Sequence, residues 1–119
     1  MGKATYTDHE RCLLAAADPI TAVQVEMTVQ DRTWGAAEDR DLSLPDWMTV
    51  LGEEFGEACR GILGWRFHRD FQMADDYENL RHELIQIAAL ALQMTVVLDF
   101  DRHSGVLPYR VNPEICADV

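Results

Sequence analysis

Residues 84–98 read LIQIAALALQMTVVL, a run of fifteen residues without a charged side chain. The run is too short to cross a bilayer, which takes about 20 residues, yet a helix that is apolar on nearly every side has to be buried on every side. Three or four helices of a 119-residue chain are too few to enclose it. We therefore predict an all-α helical bundle completed by dimerisation, as a homodimer or a dimer of dimers, with this run at the interface. A strand over residues 95–98 is the alternative for its end.

Helix signals also precede this run. Residues 7–10 (TDHE) have the pattern of a capping box, and Asp18 followed by Pro19 is a favoured helix start. The predicted helices extend from Thr7 to Ala17, from Asp18 to about Trp34, from about Pro45 to Leu63 with a stop at Gly61 or Gly64, and from Asp75 or Asp76 to about Phe100. The last two are the long packed helices of a single domain, residues 1–119, with its core at about 18–100, a linker at 64–74 and an irregular tail at 101–119.

The charge balance excludes several classes of partner. The chain has 10 Lys and Arg against 21 Asp and Glu, a net charge of −11. It therefore lacks the cations that non-specific binding to nucleic acid or to an anionic membrane requires. The three cysteines form no CxxC pair, which argues against a zinc ribbon and a disulfide framework. Because no apolar signal segment opens the chain, we expect a cytoplasmic protein.

Several acids occupy positions where a helix should be buried. The predicted helix from about Pro45 to Leu63 has an apolar stripe made of Trp47, Val50, Leu51, Phe55, Ala58 and Ile62. Glu54 and Glu57 lie beside it, with Cβ atoms about 5–6 Å apart. On the next helix Glu83 is in register with apolar residues, and Gln86 follows one turn later. If the two helices pack antiparallel, these four side chains converge in one cleft.

Such a cleft favours a metal ion. Three like charges buried without a partner are costly, and a divalent cation would offset that cost. Oxygen ligands without His or Cys favour Mg²⁺, with Mn²⁺ as the alternative. The alternative is that these glutamates bind no metal, because glutamates on helix surfaces commonly pair with arginines. Gly52 and Gly56 lie inside the same helix, where each costs about 1 kcal/mol relative to Ala, and this suggests the close approach of a ligand or of another helix.

Two segments carry a resemblance to a known family. They are residues 47–58, WMTVLGEEFGEA, and residues 78–88, ENLRHELIQIA. Glu54-x-x-Glu57, followed after 25 residues by Glu83-x-x-Gln86, resembles the ExxE and ExxD motifs of the MazG-like all-α nucleoside triphosphate pyrophosphohydrolases. The resemblance covers about residues 18–100 and is closest to short phage and actinobacterial members.

One position departs from the family pattern. Gln86 stands where the family has an acid, so Glu54, Glu57 and Glu83 supply a charge of −3 where the pattern has −4. The amide oxygen of Gln86 is still a ligand for Mg²⁺. We expect Glu53 to compensate for the missing negative charge, either by binding the metal directly or by contacting a residue that binds it.

The resemblance implies Mg²⁺-dependent hydrolysis of a nucleoside or deoxynucleoside triphosphate to the monophosphate and pyrophosphate, for cleansing or selection of the nucleotide pool. It implies Glu54, Glu57 and Glu83 as catalytic residues. The metal would neutralise the triphosphate and acidify the attacking water, which Glu54 would orient or deprotonate.

The resemblance also implies a substrate-binding wall. Arg60 and Arg81 are the candidate cations for the outer phosphates, and each is also a candidate for an ordinary surface ion pair. Trp34 is the candidate for stacking on the base, whereas Trp47 fits core packing better. The competing interpretation, which Gln86 favours, is a catalytically weak or inactive helical module that binds nucleotide or a partner protein.

Overall fold

The computed structural model describes the backbone of residues 4–68 and 73–104 and the side chains of residues 4–63 and 77–101. Over this part of the chain it forms four α-helices and a short 3₁₀-helix: α1 (Asp8–Ala16), α2 (Pro19–Trp34), the 3₁₀-helix (Ala37–Asp39), α3 (Leu44–His68) and α4 (Met73–Ser104). These ranges contain no strand, so the all-α prediction is confirmed and residues 95–98 are helical.

The first two helices begin at the predicted caps. The Thr7 hydroxyl accepts a hydrogen bond from the Glu10 backbone N–H at 3.1 Å, and the Glu10 carboxylate accepts one from the Thr7 N–H at 2.9 Å. The Asp18 carboxylate accepts from the Thr21 N–H at 3.0 Å. Each bond satisfies a backbone donor that the first turn of a helix leaves free. At the other end of α2, Gly35 takes a φ of +86°, a conformation that side chains disfavour.

The predicted ends of the long helices are wrong. Helix α3 continues past Gly61 to His68, and α4 begins at Met73. Each helical glycine costs only about 1 kcal/mol, which packing along a long helix pair offsets, so a glycine inside α3 does not end it. The predicted linker at 64–74 is therefore helical at 64–68 and 73–74, and 69–72 lie outside the described residues. The predicted irregular tail is helical over 101–104, and its remainder, 105–119, lies outside the described residues.

Helices α3 and α4 pack as a hairpin with α2 against α4. One core cluster surrounds Trp47, which is fully buried together with Ala37, Leu90 and Val97. This cluster confirms core packing for Trp47. Because the start of α3 contacts the second half of α4, the two helices run antiparallel, as the convergence of their acids requires.

A second core cluster joins α1 to the bundle. It contains Leu14 of α1, Ala22 of α2 and Ile85 of α4. The Arg81 guanidinium reinforces this contact by donating hydrogen bonds to the backbone carbonyls of Leu14 and Ala17. A cation at the C-terminal end of a helix also interacts favourably with the helix dipole.

The single chain leaves two apolar rows exposed. On α3, Phe55 is 60% and Ile62 is 42% exposed, so the prediction that the whole stripe is buried is wrong for these two residues. On α4 the exposed large apolar residues include Leu84, Leu92, Val96 and Phe100. The described part of the chain thus leaves Leu84, Leu92 and Val96 of the apolar run exposed, and their burial by a second copy stays a prediction.

The apolar part of α4 is longer than the uncharged run alone. Its segment Tyr77–Asp101, 25 residues, is long and apolar enough to cross a membrane by length and composition, a test that core helices of soluble proteins also pass. This segment packs against α2 and α3. Its polar residues Glu83, Gln86 and the buried Gln93 lie on the side that contacts these helices. The absence of a membrane partner stays a prediction.

Candidate functional site

A cavity of about 500 Å³ opens between α2, α3 and α4. Its acidic lining comes from three helices: Glu26, Glu53, Glu54, Glu57 and Glu83. Gln86 lines the same cavity. The structure therefore brings together the four side chains of the ExxE-like and ExxQ segments, and Glu53 with them. Their roles as catalytic residues and metal ligands stay predictions.

The helix geometry explains this convergence. Glu54 and Glu57 are three residues apart on α3, and Glu83 and Gln86 are three residues apart on α4, so each pair lies on one face of its helix. The antiparallel hairpin then brings the two faces together. Glu54 is half-buried, whereas Glu57 and Glu53 are exposed at the mouth of the cavity.

Burial and the charges of neighbouring acids raise the pKa values of Glu54 and Glu83. Burial, followed by the charges of Glu57 and Glu83, raises the pKa of Glu54 above its ordinary value. One buried oxygen of Glu54, Oε2, has no hydrogen-bond partner in the described part of the chain. Burial and the charge of Glu57 likewise raise the pKa of Glu83, while the charge of Arg60 lowers it. The cavity thus favours an arriving proton or cation.

Sequence analysis missed one acid of this cavity, Glu26. It lies on the core face of α2 and is 0% exposed. Its Oε1 accepts hydrogen bonds from the Tyr6 hydroxyl at 2.8 Å and from the Gln30 amide at 3.0 Å. The signal was present in the sequence, because Glu26 follows Ala22 by four residues and precedes Val29 by three, the spacing of a buried face.

Tyr6 contacts side chains of both α2 and α4 at this cavity. Burial and then the charge of Glu26 raise its pKa well above the ordinary value, whereas hydrogen bonding with the Gln86 side chain acts in the opposite direction. The ring of Tyr6 also meets that of His82 edge to face, at 5.7 Å between centroids. Residues near the N-terminus thereby close one end of the cavity.

Trp34 and Arg40 also line the cavity. The Arg40 guanidinium lies 5.9 Å from the ring centroid of Trp34 and 5.2 Å from that of Trp47. Arg40 donates from Nε to the Gly35 carbonyl and from Nη2 to the Asp31 carboxylate, each at 2.8 Å. Its side chain is 3% exposed, and Nη1 has no partner. Sequence analysis did not predict Arg40, because its surroundings depend on the turn after α2.

The two arginines chosen from the sequence have different surroundings. Arg60 is exposed, and its charge acts on Glu83 beside the cavity. Arg81 is half-buried and holds the carbonyls of Leu14 and Ala17. A substrate-binding role stays a prediction for both, and the hydrogen bonds of Arg81 give it a structural role as well.

Glycines inside α3 leave space on its outer side. A Cβ added at Gly52 would meet no atom within 4 Å, and one added at Gly56 would meet Arg60 Nη1 at 3.6 Å. The close helix approach that these glycines suggested is therefore not made at Gly52 by any described part of this chain.

The residues present fit a divalent cation chemically. Glu26 Oε2 and Glu54 Oε2 are buried carboxylate oxygens without partners in one cavity, and hard oxygen ligands suit Mg²⁺ and Mn²⁺. Among the described side chains, no group of three or more His, Cys, Asp or Glu residues is close enough as placed to enclose an ion. Binding would therefore draw the carboxylates closer together.

No family model, curated protein or solved structure matches this chain. The resemblance carried by residues 47–58 and 78–88 stays a prediction. The functional argument accordingly depends on the cavity and its side chains.

Proposed function

We propose that this protein is an Mg²⁺-dependent pyrophosphohydrolase of the MazG-like kind. Its reaction would convert a nucleoside or deoxynucleoside triphosphate into the monophosphate and pyrophosphate, for cleansing or selection of a nucleotide pool, as in a phage-infected cell. The observation that carries the proposal is the shared cavity of Glu54, Glu57, Glu83 and Gln86. A net charge of −11 opposes direct binding of a triphosphate, so the proposal requires a cation.

The carboxylates support this chemistry. Bound Mg²⁺, or Mn²⁺ in its place, supplies charge neutralisation for the triphosphate and makes water more acidic. Water attacks the α-phosphorus, the bond from that phosphorus to the α–β bridging oxygen breaks, and pyrophosphate leaves. Glu54 accepts the proton of the attacking water. Its raised pKa brings it closer to neutral pH, which suits a general base.

Trp34 supports nucleotide binding. It lines the cavity and offers a flat apolar surface for a base. Arg60, an exposed cation whose charge acts on Glu83, is the proposed contact for the outer phosphates. The charge balance opposes nucleic acid and anionic membranes as partners, so the proposed partner is a free nucleotide in the cytoplasm.

The exposed apolar rows support a homodimer. Met48, Phe55 and Ile62 recur at intervals of seven residues on α3 and are 57%, 60% and 42% exposed. On α4, Leu92 and Phe100 are 49% and 51% exposed. Large exposed apolar patches often mark protein–protein contact sites. A homodimer, or a dimer of dimers, would bury both rows.

The first test is release of pyrophosphate and phosphate from each of the common NTPs and dNTPs, with Mg²⁺, with Mn²⁺ and with EDTA. We expect metal-dependent release of pyrophosphate from at least one of them. Glu57→Gln should abolish turnover, whereas Glu38→Gln, which removes the same charge from the exposed 3₁₀-helix, should not. Absence of turnover from every nucleotide with either metal would contradict the proposal.

The alternative is a catalytically weak or inactive module. Gln86, and the lack of a preformed cation cage among the described side chains, favour it. In this case nucleotide would bind without turnover, and Glu57→Gln would alter stability alone. Gln86→Asp is a second test of the two proposals, because it should raise metal affinity or turnover if the protein is an enzyme.

A further inference from the structure

The buried face of α2 carries a charged group. Ala22, Val29 and Gln30 are its buried neighbours, and Glu26 lies among them with no exposed surface. Glutamate is almost never fully buried unless it is paired. A carboxylate retained at such a position therefore needs a compensating partner.

The hydrogen bonds that Glu26 makes with described residues satisfy only one of its two carboxylate oxygens. Tyr6 and Gln30 both donate to Oε1, and both are neutral donors. Among the described residues, the other oxygen, Oε2, is buried without a hydrogen-bond partner, and so is the neighbouring acceptor Gln30 Oε1. Two hydrogen bonds to Oε1 hold the carboxylate in place, in the manner of the outer partners that orient metal ligands.

The unsatisfied oxygen belongs to the acidic cavity. Glu26 lines it together with Glu54 and Gln86, and the charge of Glu26 acts on Glu54. Glu54 contributes a second buried oxygen without a partner. Arg40, a cation of the same cavity, donates to Asp31 and the Gly35 carbonyl, and its remaining nitrogen, Nη1, makes no hydrogen bond to either carboxylate oxygen or to any other described residue. Two carboxylate oxygens are thus left for a ligand that carries positive charge.

We propose that Glu26 is a ligand of the divalent-cation site, supplying from α2 the fourth negative charge that Gln86 does not provide. The proposal rests on the proposed function, which places Mg²⁺ or Mn²⁺ among Glu54, Glu57 and Glu83. Glu26, Glu54, Glu57 and Glu83 together carry −4, so the exposed Glu53 is not needed to replace the charge that Gln86 lacks. The cation would neutralise the buried charge of Glu26, while Gln86 contributes an uncharged oxygen.

The test measures Mn²⁺ binding to the full chain without nucleotide, by electron paramagnetic resonance and isothermal titration calorimetry. We expect Glu26→Gln to weaken Mn²⁺ binding at least tenfold, a loss typical of altered metal-site shells. Glu38→Gln is the matched control, because it removes one exposed charge outside the cavity and should change affinity by less than about twofold. Far-UV circular dichroism establishes that both variants are folded.

A second variant separates a ligand from a merely structural residue. Glu26→Gln combined with Gln86→Asp moves the fourth charge from α2 to α4, and it should recover affinity to within a few-fold of the wild type. If Glu26→Gln does not fold, Glu26→Asp retains the charge but withdraws it by one methylene, and it should weaken binding in the same direction.

The outcomes distinguish the two proposals. Equal Mn²⁺ affinity of Glu26→Gln and the wild type, with metal-dependent turnover intact, would overturn the role of Glu26 and leave the enzyme proposal standing. Weakened binding that Gln86→Asp does not rescue would overturn the charge-replacement argument. A wild-type protein that neither binds Mn²⁺ nor turns over nucleotide would overturn both.

Discussion

Replacing Arg81 by Met should destabilise the fold by about 3 kcal/mol. The guanidinium donates to the carbonyls of Leu14 and Ala17 at the end of α1. A hydrogen bond to a charged group contributes about 1.5–3 kcal/mol. Because the side chain is only half-buried, the lower value applies to each of the two bonds. Methionine keeps most of the apolar stem and removes the donors.

A loss of this size is easily measured. The free energy of unfolding of a small domain is about 5–15 kcal/mol, so Arg81→Met should remove a large part of it. For a domain of this length the melting temperature should fall by about 10 °C. Urea unfolding followed by far-UV circular dichroism gives the change in free energy, and steady-state pyrophosphate release gives KM.

Arg60→Met is the matched comparison. Arg60 is exposed and acts on Glu83 beside the cavity, so its removal should change stability by less than about 0.5 kcal/mol and should raise KM. A loss below about 1 kcal/mol in Arg81→Met would refute the two-bond estimate. A large rise in KM with stability intact would instead identify Arg81 as a substrate ligand.

Three further predictions concern other parts of the molecule. Hydrogen bonds from Arg32 and Thr7 lower the pKa of Glu10 from 4.5 to about 2; the stability difference between wild type and Glu10→Gln should therefore be complete above pH 4.5 and disappear as the pH falls through about 2 in acid titrations of unfolding. Trp34→Leu should raise KM about tenfold, since stacking on one base contributes about 1–3 kcal/mol, and an unchanged KM would remove Trp34 from the site. Leu92→Glu places a charge on the exposed row of α4 and should shift the protein to monomers in sedimentation velocity, whereas a wild type that is already monomeric would refute the dimer.

Local signals were predicted well because they act within one turn. The capping box at Thr7 and the Asp18 cap join atoms three residues apart, so residue type and spacing suffice to recognise them. The ends of α3 and α4 were predicted poorly for the opposite reason. Gly61 disfavours a helix locally, yet α3 is stabilised along its length by α4, and this contact is invisible in a window of sequence.

The candidate site divides in the same way. Glu54, Glu57, Glu83 and Gln86 were predicted to converge, because their spacing places each pair on one face of a helix. Glu26 was missed, since its importance comes from burial under Tyr6 and beside the acids of two other helices. A single-helix pattern identifies a buried position but not the side chains that surround it.

The presence of the helices, the acids of α3 and α4 and the excess of apolar residues can be recognised from the sequence, because helix periodicity and charge are properties of neighbouring residues. That Glu26 joins those acids, that Arg40 lies against Trp34 and that Phe55 is exposed depends on tertiary packing. Burial arises when segments far apart in the chain exclude water together. The ionisation and ligand preference of the cavity follow from that burial.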